Sequence, residues 1–339
     1  MNDIHFYKTL KRMLVCLCML YAVGTSHIVN AKQVKPIAPS LLKPNDVVAI
    51  VAPAWWDPNE KAIIEATVQT LRNWGLEVVI GNTIGAQNGQ FAGTDEVRLA
   101  DLQAMIDDPK IKAIFALRGG HGCARIVDDL DFTNFLQHPK WVIGYSDITT
   151  LHLQVHHVGA VSIHGIVAKH FLDPAYETSI ESLRVALFEG KANIVAEPAI
   201  NNRLGKAQAL VVGGNLIIIC SNIGTQLELD TKGKILVLEE VGENFYTIDR
   251  LMVQLKRSGK LQHLAGLVIG GITDLKDNPA MPFSKTIEEL ILHHVAEYNY
   301  PVAFHMPIGH TAPNMPFFHG AEGKLVVAQE HATLSFDVK

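Results

Sequence analysis

Trp141-Val142-Ile143-Gly144-Tyr145-Ser146-Asp147 reads as a short apolar strand that delivers a hydroxyl and a carboxylate onto a turn, with a helical pattern taking over from about residue 148. A brief apolar run bounded by turn residues is the pattern of a strand buried on both faces. Passing straight into a helix, it makes the sharp strand–turn–helix step called a nucleophile elbow. The turn lifts the Ser146 hydroxyl off the sheet edge and aims the backbone N–H of Asp147 at any oxyanion formed there. The positive end of the helix dipole adds to the same field. The stretch carries only half of G-x-S-x-G, since Ile148 stands where the second glycine would be. Ser is also a favoured helix N-cap, so the hydroxyl has a second, purely structural reading.

Working outward, apolar runs and helical patterns alternate. Strands are expected at 47–52, 76–80, 113–117 and 141–145, with helices at 60–74, at 95–106 (Thr94 as N-cap) and from about 148. This alternation implies a mostly parallel sheet with helices on both faces. Residues 171–207, with a helix near 180–188, read as a connection. A second unit covers 208–335, with strands at 235–238, 267–269 and 302–305, helices at 247–257 and 286–296, and a β-like tail at 324–336. The first unit covers 46–170, and the Pro-rich residues 32–45 read as a leading linker.

Residues 1–31 read as a targeting segment. Lys8, Lys11 and Arg12 precede an uncharged apolar stretch at 13–23, and Val29-Asn30-Ala31 resembles a small-x-small cleavage site. That order is a secretory signal peptide, and the apolar stretch is too short to span a bilayer. The expected location is therefore exported and periplasmic, without stable membrane insertion after cleavage; the other readings are an uncleaved anchor, or a cytoplasmic enzyme if this N-terminus is not a functional signal. Among the 339 residues, 29 basic and 34 acidic side chains leave a net charge of −5, which gives no basic field for nucleic acid. Once a signal is removed only Cys123 and Cys220 remain, and nothing in the sequence brings them together.

A serine needs a base, and the base needs an acid to hold it. Of 16 histidines, His305 and His310 bracket a strand-to-loop exit, and His310 follows Gly309 where no apolar periodicity holds it. His152 and His156 share a helix face, without the neighbouring ligands that zinc requires. His156–His157 and His293–His294 read as surface pairs. Glu239 is expected as the first residue off an apolar strand, where a carboxylate needs a partner. Glu240 and Glu243 fit a solvated loop. Arg118-Gly119-Gly120-His121-Gly122 comes after another strand, so its turn and Ser146 lie at carboxyl ends of parallel strands, where sites form.

Together, Gly144-Tyr145-Ser146-Asp147, Arg118-Gly119-Gly120, Gly213-Gly214-Asn215-Leu216, Leu238-Glu239-Glu240-Val241-Gly242-Glu243 and Pro307-Ile308-Gly309-His310 resemble, in order across about residues 45–330, the LD-carboxypeptidases. These serine peptidases are also called muramoyltetrapeptide carboxypeptidases. The resemblance implies an α/β fold, with a flavodoxin-like parallel-sheet N-terminal domain and a smaller β-rich α/β C-terminal domain. It also implies Ser146 as nucleophile, Glu239 as acid and His310 as base, with backbone N–H groups of Asp147 and Gly120 as oxyanion hole. Neither a metal nor a cofactor is implied, and homodimers are usual in the family. The implied reaction releases terminal D-Ala from a peptidoglycan tetrapeptide or muropeptide. Arg118 is a candidate for the substrate carboxylate, since Arg matches carboxylates bidentately; its other reading is a structural ion pair. A related branch, the microcin-immunity peptidases, cleaves aminoacyl or peptidyl nucleotides, and Trp55 and Trp56 would be the stacking rings. A peptidoglycan-binding module without catalysis is the third reading. His121 stands where the family commonly has Tyr, and many members have no signal peptide.

Overall fold

Successive side chains of one short strand, Val47–Val51 (β1), enter two different cores. Val48 and Ile50 pack into one, Ala49 and Val51 into the other. Both faces are therefore covered, as in parallel sheets, and each fully buried aliphatic side chain contributes roughly 1.5–3 kcal/mol. The computed structural model describes residues 36–338. The expected signal segment and the start of the leading linker lie outside the described residues. The rest of that linker lies on the fold, with Leu42 buried and the Trp141 indole N–H donating to Ser40 O at 3.0 Å.

After β1 come α1 (Glu60–Asn73), β2 (Glu77–Ile80), α2 (Asp95–Asp107), β3 (Ile111–Ala116), α3 (Thr133–Gln137), β4 (Trp141–Gly144), α4 (Thr149–His157) and β5 (Ser162–His164). These five strands run parallel in the order β2-β1-β3-β4-β5, the flavodoxin-like order. Thr94 caps α2 through a hydrogen bond from Val97 N–H, as its sequence position suggests.

The chain continues through α5 (Glu177–Glu189), β6 (Lys191–Ala196), β7 (Gly205–Asn215), α6 (Leu216–Ser221), β8 (Ile235–Val241), α7 (Phe245–Arg257), β9 (Gly266–Thr273), α8 (Ile287–His294), β10 (Val302–Ala303), β11 (Phe317–His319), β12 (Glu322–Val327) and β13 (Ala332–Asp337). Seven strands form a second sheet in the order β10-β9-β8-β7-β12-β13-β6. Its first four strands are parallel and the last three antiparallel. The stretch read as a connection supplies β6, an edge strand of this sheet. In return β11 adds an antiparallel edge to the first sheet against β5.

The carboxyl ends of the two parallel sets meet. Asn215 N–H, at the end of β7, donates to Thr149 Oγ1 at the start of α4. Gly214, φ +134°, makes that approach possible, because a Cβ there would lie 2.7 Å from Thr149 Oγ1 and 3.2 Å from the His164 ring.

Candidate active site

Gly144 closes β4, and the chain turns through Ser146 at φ +64°. This left-handed conformation costs a non-glycine residue about 1–2 kcal/mol. Such strain is what a nucleophile elbow requires. The structural alternative for Ser146 does not hold, since no side-chain cap opens either the short 3₁₀ turn at Ser146–Ile148 or α4. The half-buried hydroxyl has no hydrogen-bond partner among the described residues. Its neighbour is the turn after β3: a Cβ on Gly119 would sit 3.1 Å from Ser146 Oγ.

The backbone N–H groups of Gly119, Gly120, His121 and Gly122 donate no hydrogen bond among the described residues. Consecutive free N–H groups form an anion-binding concavity. Two buried side chains hold the turn. Asp147 Oδ2 accepts from Cys123 N–H at 2.9 Å, and Arg98 Nη1 donates to Gly122 O at 2.9 Å and Pro53 O at 2.7 Å. The side chain of Asp147 thus ties the turn to the elbow, a role its position in the sequence did not suggest.

Glu239 is not the first residue off its strand. It lies within β8 opposite Asn215, fully buried, at a bulge in the β8–β9 pairing. There Gly271 N–H of β9 donates to Ile308 O at 2.8 Å, so the loop carrying His310 lies along β9. Gly309, φ +87°, must be glycine, because a Cβ would run into the Glu239 carboxylate. With this approach His310 Nδ1 hydrogen-bonds Glu239 Oε2 at 2.6 Å, and the His310 backbone N–H reaches the same oxygen at 3.3 Å. The Tyr145 ring packs against the His310 ring, 4.8 Å between centroids, which brings the elbow and the Glu–His pair together. Burial would pull the imidazole below the usual histidine range, but the hydrogen bond and charge of Glu239, helped by Glu240 and Asp274, raise it above.

Other residues fall differently from expectation. Glu240 is buried, not solvated: its carboxylate accepts from Asn215 Nδ2 and Ile217 N–H, both at 2.9 Å, and so caps α6. Burial raises its pKa. His305 is exposed and pairs with Glu288 at 3.3 Å. In each surface pair one member faces in. His156 packs edge-on against His319, with burial lowering it to about 4, and His294 bonds Asp249. Cys123 and Cys220 are buried and free. Arg118 Nη1 is bound to the buried Asp57 at 2.9 Å, while its Nε has no partner. Lys169 also approaches Asp57, at 3.6 Å. Trp55 lies under the Arg118 guanidinium, 5.4 Å from its ring, and the Trp56 N–H is bound to Gly89 O. His164 beside Glu239 was missed; it sits on a strand only three residues long, which leaves no periodicity to read.

Known proteins resemble this chain in sequence and in fold. A model described as the LD-carboxypeptidase N-terminal domain matches residues 48–165, and one described as the C-terminal domain matches 208–325. A probable murein peptide carboxypeptidase of Bacillus subtilis is 32% identical over 88% of this chain and 95% of its own length. The murein tetrapeptide carboxypeptidase of Pseudomonas aeruginosa is 32% identical over 80% of this chain and 91% of its own. Two solved structures share the fold. The muramoyltetrapeptide carboxypeptidase of Oxalobacter formigenes has a TM-score of 0.77 at 24% identity, covering 86% of this chain and 99% of that one. The microcin C7 self-immunity protein MccF has a TM-score of 0.79 at 19% identity, covering 90% and 99%.

Proposed function

This chain belongs to the LD-carboxypeptidase family, and from that premise we propose that it is a serine carboxypeptidase releasing terminal D-Ala from peptidoglycan tetrapeptide stems. The observation that carries the reading is the part-buried Glu239–His310 hydrogen bond, its imidazole packed on Tyr145, the residue before a serine held at positive φ. With Nδ1–H donating to Glu239, His310 keeps Nε2 free to accept the Ser146 proton as the hydroxyl attacks the carbonyl carbon. The oxyanion meets the N–H groups of Gly120 and Asp147, a donor pair of a kind worth on the order of 3–4 kcal/mol per bond elsewhere. His310 then hands its proton to the leaving amine of D-Ala, and water hydrolyses the acyl-enzyme.

An exopeptidase also reads a free carboxylate. Arg118, held at Nη1 by Asp57 and buried at Nε, would meet that carboxylate through Nη2. Arg118→Ala should raise KM strongly, and an unchanged KM would remove it from this role. The reading includes two domains meeting at the site, a homodimer, and export on the strength of residues 1–31. Among the described residues no helix is long and apolar enough to cross a membrane.

The test is the purified protein with a disaccharide tetrapeptide ending in D-Ala, followed by mass spectrometry. Loss of one alanine with wild type and none with Ser146→Ala supports the reading. Loss with both proteins would take the nucleophile away from Ser146. No loss with either would favour an aminoacyl nucleotide or a binding role.

A further inference from the structure

Only one oxygen of the buried Glu239 carboxylate is accounted for. Oε2 takes both His310 donors, while Oε1 has no hydrogen-bond partner among the described residues. Leaving a buried carboxylate oxygen without a donor is costly, about 1–3 kcal/mol or more. The group that faces it is Nε2 of His164, 3.9 Å away and equally without a partner. His164 ends β5 and is fully buried. Its ring stacks on Phe317 at 4.7 Å and is flanked by Tyr145 at 6.1 Å and His152 at 5.8 Å. The gap is too wide for a hydrogen bond and too narrow for a water between the two atoms; closing it takes a shift of about 1 Å.

We propose that His164 is a positioning residue for this site: its Nε2–H closes on Glu239 Oε1, so that the carboxylate is gripped from both sides and presents Oε2 to His310 in one orientation. The inference rests on the carboxypeptidase reading. The tautomer is set by the geometry, because an Nε2 lone pair aimed at a carboxylate oxygen would be repelled. Burial, with His152 and His310 beside it, keeps the His164 ring neutral. A neutral donor orients Glu239 without cancelling the charge that the His310 cation needs. Phe317 comes from β11, so the strand exchanged into the first sheet supports the ring that braces the acid.

The test compares His164→Leu, which removes the donor, with His164→Gln, whose amide N–H can reach the Nε2 position. For each, kcat and KM on the tetrapeptide, the thermal midpoint and the downfield proton resonance of the Glu239–His310 hydrogen bond are measured. The expected result for Leu is a roughly 10–100-fold loss in kcat with KM nearly unchanged and a shifted or broadened resonance. Gln should restore most of both at a similar midpoint. Equal kcat and equal resonances in Leu and Gln, whether wild-type-like or impaired, would overturn the proposal. Should the Leu variant not fold, His164→Met, matched to Gln in length, takes its place. If wild type releases no alanine, the substrate reading has failed, and the resonance comparison still decides the role of His164.

Discussion

At His310 two influences oppose each other, and on the proposed mechanism their balance sets the working pH. Burial disfavours the imidazolium, while the Glu239 hydrogen bond and charge favour it and win. The base must be neutral to accept a proton, so the acid limb of kcat/KM is expected above the usual histidine range. Glu239→Gln removes the charge and lets an amide N–H occupy Nδ1, which forces the ring proton onto Nε2. The expected result is a kcat lower by roughly 10³–10⁴, as for the equivalent change in other triads, with the residual acid limb moved downward. A pH–rate profile of both proteins checks the sign. The same shift enters stability. His310 is raised in the fold, so its contribution is present below the unfolded histidine value and is lost as pH rises through the folded value. Gly309→Ala places a methyl against the Glu239 carboxylate and should abolish turnover, read as kcat at an intact far-ultraviolet spectrum. The proposed triad residues Ser146, Glu239 and His310 stand out in short motifs. The burial of Glu240 does not, because it depends on α6 beginning where that carboxylate lies.

Elements with a long period were legible and short ones were not. α1, α2 and α7 lie within a few residues of their expected bounds: in α1 and α7 a 3.6-residue repeat over three turns leaves a clear trace, while α2, which buries Arg98 and Asp101 with its apolar side chains, is marked by its Thr94 cap. β5 and β11 have three residues each and owe their existence to their neighbours. β8 runs past its apolar portion, because the sheet pairs the backbone of Glu239 and Glu240 whatever their side chains. Lys140 shows a cap formed from afar. Fully buried, it donates to the carbonyls of Met105, Ile106 and Asp108 at the end of α2. Burial lowers its ammonium to about 8. Between that value and the unfolded one the unfolded chain binds more protons, so this group makes the fold more stable as pH rises. Urea unfolding of wild type and Lys140→Met should show wild type gaining roughly 1–2 kcal/mol on the variant between about pH 7.5 and about pH 10. A constant difference would remove the lysine from this role.

Across the whole molecule the site depends on two sheets approaching at their carboxyl ends. The contact is close at Gly214, with Thr149 and His164 opposite. Gly214→Val should wedge them apart, at about 1–3 kcal/mol of stability. A thermal midpoint several degrees lower, together with a loss of kcat, is the expected result. An unchanged kcat at a lowered midpoint would mean that the sheet contact does not set the site. The exchange of β11 into the first sheet and of β6 into the second makes each sheet depend on distant chain, so an isolated 46–170 fragment lacks an edge strand.

By itself the sequence determined where the longer strands and helices form and which residues are chemically equipped. Buried parallel strands need continuous apolar runs, the elbow needs its short strand and turn, a serine and a glutamate each stand at the end of such a run, and a histidine stands in the loop that follows another. The tertiary structure alone decided who meets whom. Hydrogen bonds reach about 3 Å, whereas Glu239 and His310 are 71 residues apart and Glu239 and His164 are brought side by side from different sheets. Periodicity reports the face on which a residue lies. It carries no information on which loop will cross a bulge in a strand, and at this site that crossing puts the histidine on its carboxylate.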